Sequence, residues 1–188
     1  MAVDAAQRAR CEQIRDKARD LFGRSDVGAC ESLAELIEWA FTEFHDVYFG
    51  TFNNDEETFV EDFGLVLTER SECVAWERGD DLDLYLGYGY AADSCFYSTY
   101  QDGSNQVRHF WGYVMQGFQY GKVLGKLTLI REAFPPELAD AALGDIGVIL
   151  GAGLDGIGTA LDEVPGVIRT YLCDSQNCFA TGSGEEED

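Results

Sequence analysis

The chain has 188 residues, of which 46% are hydrophobic and 13% aromatic, a size and composition that suit one globular domain with a sizeable core. Its 35 acidic residues outnumber its 13 basic ones and give a formal net charge of −22 at pH 7. A charge this negative repels nucleic-acid phosphates and anionic lipid surfaces, so it argues against direct binding to either. It suits a cationic protein or small molecule as partner, and it is equally consistent with a role in solubility alone.

The six cysteines contain no CxxC pair, which argues against zinc ribbons, thioredoxin chemistry and c-type haem attachment. Cys173 and Cys178 flank a turn-rich loop that a disulfide could close, and buried free thiols are the alternative. No apolar run reaches the roughly 20 residues that span a bilayer, so we expect no membrane insertion. The polar N-terminus predicts a cytoplasmic protein if Met1 is native, and a secreted one if a leader has been removed.

The first 70 residues carry apolar side chains at helical spacing, which predicts three helices over residues 4–22, 32–48 and 58–70. Each begins with a capping pattern, a Ser, Thr or Asp followed three residues later by Glu or Gln. The second is the most amphipathic, and it places His45 at the margin of its charged face, as a surface histidine. The acidic loop at 50–57 lacks the glycine and glutamate of an EF-hand, so we predict no dedicated metal site.

From residue 73 the hydrophobic period changes from 3.6 to 2, which predicts strands. Residues 74–78 and 82–90 form the expected arms of a hairpin, and residues 94–100 can add a third strand. The second arm is rich in tyrosine, including Tyr88, and its glycines would let a ligand approach the backbone closely. We therefore expect a small antiparallel hairpin or meander over residues 74–100.

The stretch 102–120 that follows reads as a central, glycine-rich helix with two different faces. Its apolar face carries Val107, Phe110, Trp111, Val114 and Phe118. Its opposite face is polar but almost uncharged, and consists of Asn105, His109, Gly112, Tyr113, Gln116 and Tyr120. Because an ordinary solvent-facing surface would carry several charges in a chain with 26% charged residues, we predict that this face lines a cleft.

The remaining chain continues the helical pattern, with glycines at 117, 121 and 125 that favour close helix packing. Residues 148–156 match a strand-GxGxxG dinucleotide motif, but helix signals precede them and no second βαβ unit follows, so glycine there indicates close packing. The predicted fold is mainly helical α+β, with about six helices and the hairpin. We expect a single globular domain over 1–178 and a disordered acidic tail over 179–188.

One functional interpretation of the predicted cleft is a non-catalytic binding or assembly protein. The Tyr-rich hairpin and the cleft would recognise a ligand, and the acidic surface would attract a cationic partner. The ligand-binding candidates are Tyr88, Tyr113, Gln116 and Tyr120. Self-assembly into a homo-oligomer is compatible with this interpretation, which we favour because no complete catalytic constellation can be assembled from the sequence.

The alternative is a small hydrolase-like enzyme, of a toxin- or effector-like kind, with His109 as general base. Asn105 would orient the imidazole or the substrate, and Arg108 would stabilise negative charge at the edge of the site. Glu132 and Asp145 lie in apolar surroundings, and either could pair with His109. The competing structural interpretation is a satisfied core histidine beside a helix cap. Neither interpretation requires a cofactor or a metal.

Overall fold

The computed structural model describes residues 4–24, 27–50, 55–68, 95–100, 106–132, 138–156 and 158–174. Seven α-helices and two short 3-10 segments, Ser98–Tyr100 and Leu161–Glu163, make up the regular structure of these residues. The helices are α1 (Ala5–Phe22), α2 (Ala29–Glu43), α3 (His45–Tyr48), α4 (Glu56–Leu67), α5 (Gln106–Glu132), α6 (Leu138–Leu154) and α7 (Val164–Tyr171). None of the helices within the described ranges is both long enough and apolar enough to cross a bilayer.

Helix α1 begins as predicted, because the Asp4 Oδ1 accepts a hydrogen bond from the Gln7 backbone N–H at 2.8 Å. Helix α2 begins at Ala29, before the predicted capping box, so that prediction is wrong. Ser32 is buried inside the helix, and its hydroxyl donates to the Leu21 carbonyl oxygen at 3.1 Å. The hydroxyl therefore ties α2 to the end of α1 instead of capping a helix.

The segment after α2 breaks where the sequence predicts a continuous helix. Phe44 adopts φ −113° and ψ 31°, outside the helical region, and α3 starts at the next residue. Asp55 then caps α4, its Oδ1 accepting from the Thr58 backbone N–H at 2.9 Å. The Asp55 backbone N–H also donates to the Tyr48 carbonyl oxygen at 2.8 Å, so the start of α4 is fixed against the end of α3.

The core forms where α2 packs on α1 and α7, and where α4 packs on α1 and α5. The predicted apolar face of α5 is confirmed, with Phe118 half-buried and Val107, Phe110, Trp111 and Val114 fully buried. The Trp111 ring packs on Phe59 and Phe63, with ring centroids 5.5 and 5.1 Å away. Its indole N–H donates to the Val60 carbonyl oxygen at 3.3 Å, so the one polar atom of the ring is satisfied inside the core.

Helix α5 bends sharply at Gly121, whose φ of +69° is a left-handed conformation suited to glycine. The bend brings its second half back, so that a Cβ added at Gly125 would lie 3.5 Å from the Gly117 Cα. Helix α6 packs directly against the backbone of α5, because a Cβ added at Gly151 would collide with the Val114 carbonyl oxygen. The predicted close packing is confirmed at Gly117, Gly125 and Gly151 but not at Gly121, where an added Cβ would meet nothing within 4 Å. The GxGxxG segment is no strand-to-helix turn, because residues 148–154 belong to α6 itself.

The predicted α+β class is wrong, because the described residues form helices and contain no strand or sheet. The predicted third strand is replaced by a single antiparallel bridge between Phe96 and Cys173, followed by the 3-10 segment Ser98–Tyr100. Phe96 is buried and Tyr97 exposed because the chain is extended at that bridge. The chain then turns, and the Tyr100 N–H donates to the Tyr97 carbonyl oxygen at 2.8 Å. The predicted hairpin arms at 74–78 and 82–90 lie outside the described residues.

The end of the described chain is held by a disulfide between Cys30 and Cys173, which are 143 residues apart in sequence. Cys173 is therefore not paired with Cys178, which was one of the pairings that the sequence left open. The Tyr97 N–H donates to the Leu172 carbonyl oxygen, and the Asp174 N–H donates to the Cys95 carbonyl oxygen, at 2.9 and 2.8 Å. Cys95 is itself disulfide-bonded, so two cross-links and two backbone hydrogen bonds meet at this point.

Candidate functional site

Four of the nine predicted site residues lie on the outer side of α5. Arg108, His109 and Gln116 are half-buried, and Tyr120 is 49% exposed. Tyr113 points instead toward α6, where it forms a small buried cluster with Val148. Asn105 and Tyr88 lie outside the described residues, and Glu132 is the last residue of α5, with a side chain that is not described.

Three residues of the predicted polar face lie together on α5, whereas the predicted pairing of His109 with a carboxylate is not tested. His109, Gly112 and Gln116 lie one turn apart along α5, and a Cβ added at Gly112 would meet nothing within 4 Å, so there is open space beside the helix. Asp145 is half-buried on α6, and it, Arg108, His109 and Gln116 each have an interaction partner. A pairing of His109 with Asp145 or Glu132 remains a prediction.

A buried polar network between α1, α3 and α4 was not predicted from the sequence. The Asp62 carboxylate is 0% exposed, and its two oxygens accept from the Arg10 guanidinium, Nε to Oδ2 at 2.7 Å and Nη2 to Oδ1 at 3.3 Å. The Tyr48 hydroxyl donates to Oδ2 at 3.0 Å. Asp62 shares the inward face of α4 with Phe59, and that acidic position inside an apolar stripe is the signal that could have revealed it.

The protonation states of this network are fixed by its burial and charges. Burial raises the pKa of the Tyr48 hydroxyl, and the charge and hydrogen bond of Asp62 raise it further. For Arg10, burial lowers the pKa, but the hydrogen bond and charge of Asp62 outweigh it and the net shift is upward. The network therefore holds a charged arginine and a neutral tyrosine against one carboxylate, which fits a structural cross-link better than proton transfer.

A partly exposed cluster of aromatic rings lies where α2, α3 and α4 meet, and we call it the α3 corner. Its rings are Phe41, His45 and Phe49, with Phe41 and Phe49 half-buried and the His45 side chain 66% exposed. The Phe49 ring centroid is 5.1 Å from that of Phe41, edge-on, and 5.2 Å from that of His45, nearly parallel. Phe41 also packs on the buried ring of Phe59 at 5.1 Å, which anchors the stack to the core.

Exposed carboxylates complete the α3 corner, and they are Glu43, Asp46, Asp55 and Glu57. The Asp46 side chain is fully exposed, and its Oδ1 lies 3.6 Å from the His45 Nδ1. Aromatic faces attract cations electrostatically, and nearby carboxylates add to that attraction. The prediction that His45 is a surface histidine is confirmed. The stack of Phe41, His45 and Phe49 was not predicted, although their spacing by four residues was the signal that could have indicated it.

Within the described residues, no group of three or more His, Cys, Asp or Glu side chains is placed to hold a metal ion. No protein-family model, curated protein or solved structure matches this chain.

Proposed function

We propose that this protein is a non-catalytic binding or assembly protein, and that its α3 corner receives a cationic partner such as an arginine- or lysine-bearing segment of another protein. The observation that carries the proposal is the half-exposed stack of Phe41, His45 and Phe49 among exposed carboxylates. Aromatic faces and carboxylates together select a positively charged group over a neutral or anionic one.

The charge of the whole chain supports the same partner. A net charge of −22 attracts a cationic molecule from a distance and raises its rate of encounter. The aromatic rings then supply a contact surface for the bound group, which hydrated carboxylates alone do not provide. Because the stack is anchored on Phe59 and the neighbouring Tyr48 is held by Asp62, little ordering is needed when a partner binds.

The α3 corner is poorly suited to catalysis. His45 and Asp46 form its one histidine–carboxylate pair among the described residues, and both side chains are largely exposed. An exposed pair has no water-excluding surroundings to strengthen its electrostatics or hold it in a reactive geometry. The corner therefore supports recognition, and the enzymatic alternative depends on the untested surroundings of His109.

The disulfides favour an oxidising compartment as the place where the protein acts. The Cys30–Cys173 bond links distant parts of the chain, and Cys95 is cross-linked as well. Structural disulfides persist outside the cytosol and are uncommon within it. We therefore place the cationic partner in the secretory pathway or outside the cell.

The proposal is tested by titrating the full chain with hexa-arginine amide and recording amide chemical shifts. We expect the shifts to move at the ends of α2 and α3 and the start of α4, with the largest changes at His45, Asp46 and Phe49. Hexa-glutamate should move none of them. Shift changes spread evenly over every acidic surface would show charge attraction without a site and would overturn the proposal.

A further inference from the structure

The imidazole of His45 has one covered face and one open face. The covered face lies against the Phe49 ring, with the two centroids 5.2 Å apart and the two planes 28° from parallel. The His45 side chain is nevertheless 66% exposed. Because one face is covered and most of the side chain still reaches solvent, the opposite face of the imidazole is open, and we call it the outer face of His45.

The Phe49 ring beneath His45 is itself held against the core. Its centroid lies 5.1 Å from that of Phe41, edge-on, and Phe41 packs at the same distance on the buried ring of Phe59. The Phe49 backbone N–H also donates to the His45 carbonyl oxygen at 2.8 Å. The outer face of His45 is therefore a flat surface with a packed support, which a planar group can cover with little ordering of the chain.

A carboxylate stands at the edge of the same ring. The Asp46 side chain is fully exposed, with its Oδ1 3.6 Å from the His45 Nδ1, and within the described part of the chain it forms no ion pair with an arginine or lysine. By contrast, Glu31 and Glu38 on α2 already accept hydrogen bonds from Arg169. A cation from another molecule therefore meets an available carboxylate beside His45 and occupied ones along α2.

This combination of a flat ring face and a carboxylate distinguishes the two basic side chains. A guanidinium is planar and weakly hydrated, stacks on aromatic faces and donates two parallel hydrogen bonds to one carboxylate. A lysine ammonium is a compact and strongly hydrated charge. A guanidinium stacked on the outer face of His45 would lie beside Asp46, whose exposed side chain can rotate to accept from it. An ammonium there would keep the charge attraction and lose the stacking and the paired hydrogen bonds.

We propose that the outer face of His45 binds an arginine side chain, and that His45 is the residue by which the α3 corner selects arginine over lysine. The inference rests on the proposed function, which treats the two basic residues alike. The support of Phe49 beneath the ring and the exposed carboxylate of Asp46 at its edge carry it. The partner recognised at this corner is accordingly an arginine-bearing segment, and a segment with lysine in the same place binds more weakly.

The test compares hexa-arginine amide with hexa-lysine amide, which carry the same charge, at pH 7 and about 150 mM NaCl, where long-range attraction is screened. We expect the full chain to bind hexa-arginine amide at least fivefold more tightly. His45→Ala should reduce this preference to within twofold, whereas His45→Phe, which restores a flat ring, should keep it. Tyr171→Ala is the matched control, because it removes a 58% exposed ring on α7 and should leave the preference unchanged.

The possible results separate this inference from the proposed function. If both peptides move the amide shifts of the α3 corner but bind with equal dissociation constants, the corner is a cation site without arginine selectivity, and only the inference is overturned. If neither peptide moves those shifts, the proposed function itself is wrong. A preference that survives in His45→Ala, that is lost in His45→Phe, or that falls equally in Tyr171→Ala would contradict the assignment to the outer face of His45.

Discussion

The guanidinium of Arg10 on α1 and the carboxylate of Asp62 on α4 meet in a two-point ion pair, although 52 residues separate them. Asp62 is fully buried, and Arg10 reaches it from the edge of the core with its side chain 16% exposed. A buried ion pair adds little net stability over apolar packing, but it is costly to break. Its role is to fix how α1 sits on α4, which in turn positions Tyr48 and the α3 corner.

Replacing Asp62 with Asn should lower the free energy of unfolding by about 3 kcal/mol, because Arg10 then keeps a partly buried charge without a counter-charge. The double variant Arg10→Met with Asp62→Leu should recover much of that loss, since it removes both charges. Urea unfolding followed by circular dichroism measures the free energy of unfolding of the single and the double variant. A single variant as stable as wild type would show that Arg10 turns to solvent without cost.

Replacing Tyr48 with Phe should cost about 1.5–3 kcal/mol at pH 7, because it removes a buried hydrogen bond to a charged group. Burial raises the folded-state pKa of Tyr48 above its usual 10.0, so the hydroxyl stays protonated in the folded chain after the unfolded one ionises. Stability is therefore full below pH 10 and falls as the pH rises above it. The Tyr48→Phe variant should lose stability less steeply above pH 10, whereas Tyr171→Phe, at an exposed position, should follow wild type.

The ion pair between Glu38 on α2 and Arg169 on α7 should weaken in acid. The Glu38 carboxylate accepts hydrogen bonds from the Arg169 guanidinium, Nη2 to Oε2 at 2.9 Å, and this holds the pKa of Glu38 below its usual 4.5. A lowered folded-state pKa adds stability that is complete above the usual value and lost as the pH falls through the lowered one. Because both side chains are partly exposed, Glu38→Gln should cost only about 0.5–1 kcal/mol at pH 7.

That difference should shrink as the pH falls below 4.5, because Glu38 becomes protonated first in the unfolded chain and then in the folded one. Thermal unfolding at pH 7, 4.5 and 2.5 measures it. Glu12→Gln, at an exposed position on α1, is the matched control and should shift the curve little at any pH. A constant difference between Glu38→Gln and wild type at all three pH values would mean that Arg169 does not act through the Glu38 charge.

Removing the long-range disulfide should destabilise the chain strongly. Cys30→Ser with Cys173→Ser opens a loop with a sequence separation of 143, and loops of that size are worth about 2–5 kcal/mol to the folded state. Guanidinium unfolding at pH 7 without reductant measures the loss. The buried Cys11, which takes part in no disulfide, offers a control, because Cys11→Ala removes a cysteine without opening a loop and should cost only about 1 kcal/mol. Equal losses for both would show that the cross-link contributes nothing.

The parts of the fold that depend on nearby residues could be predicted from the sequence. The Asp4 cap acts within one turn, and the buried face of α5 follows from helical spacing alone. The start of α2 could not be predicted, because Ser32 is bound by Leu21, a partner outside its own helix. The partner of Cys173 depends on where α7 returns to α2, and spacing along the chain does not contain that information.

In the candidate site, too, the features set by nearby residues could be predicted and those set by the packing of distant helices could not. The almost uncharged side of α5 was readable as a helical face, and His109, Gly112 and Gln116 share it, whereas Tyr113 is buried against α6. The spacing of Phe41, His45 and Phe49 by four residues could have indicated that they share one side of a helix, but the contact of Phe41 with Phe59 depends on the packing of α4. Asp62 could have been suspected from its place in an apolar stripe, but its pairing with Arg10 required the packing of α1 on α4.

The most direct test of the proposed cationic partner is a comparison of two charge reversals with hexa-arginine amide as the probe. Asp46→Lys places a positive charge in the α3 corner, and Asp155→Lys makes the same change in net charge at the exposed end of α6. We predict a dissociation constant at least fivefold weaker for Asp46→Lys than for Asp155→Lys, which corresponds to about 1 kcal/mol. Equal dissociation constants for the two variants would contradict the account.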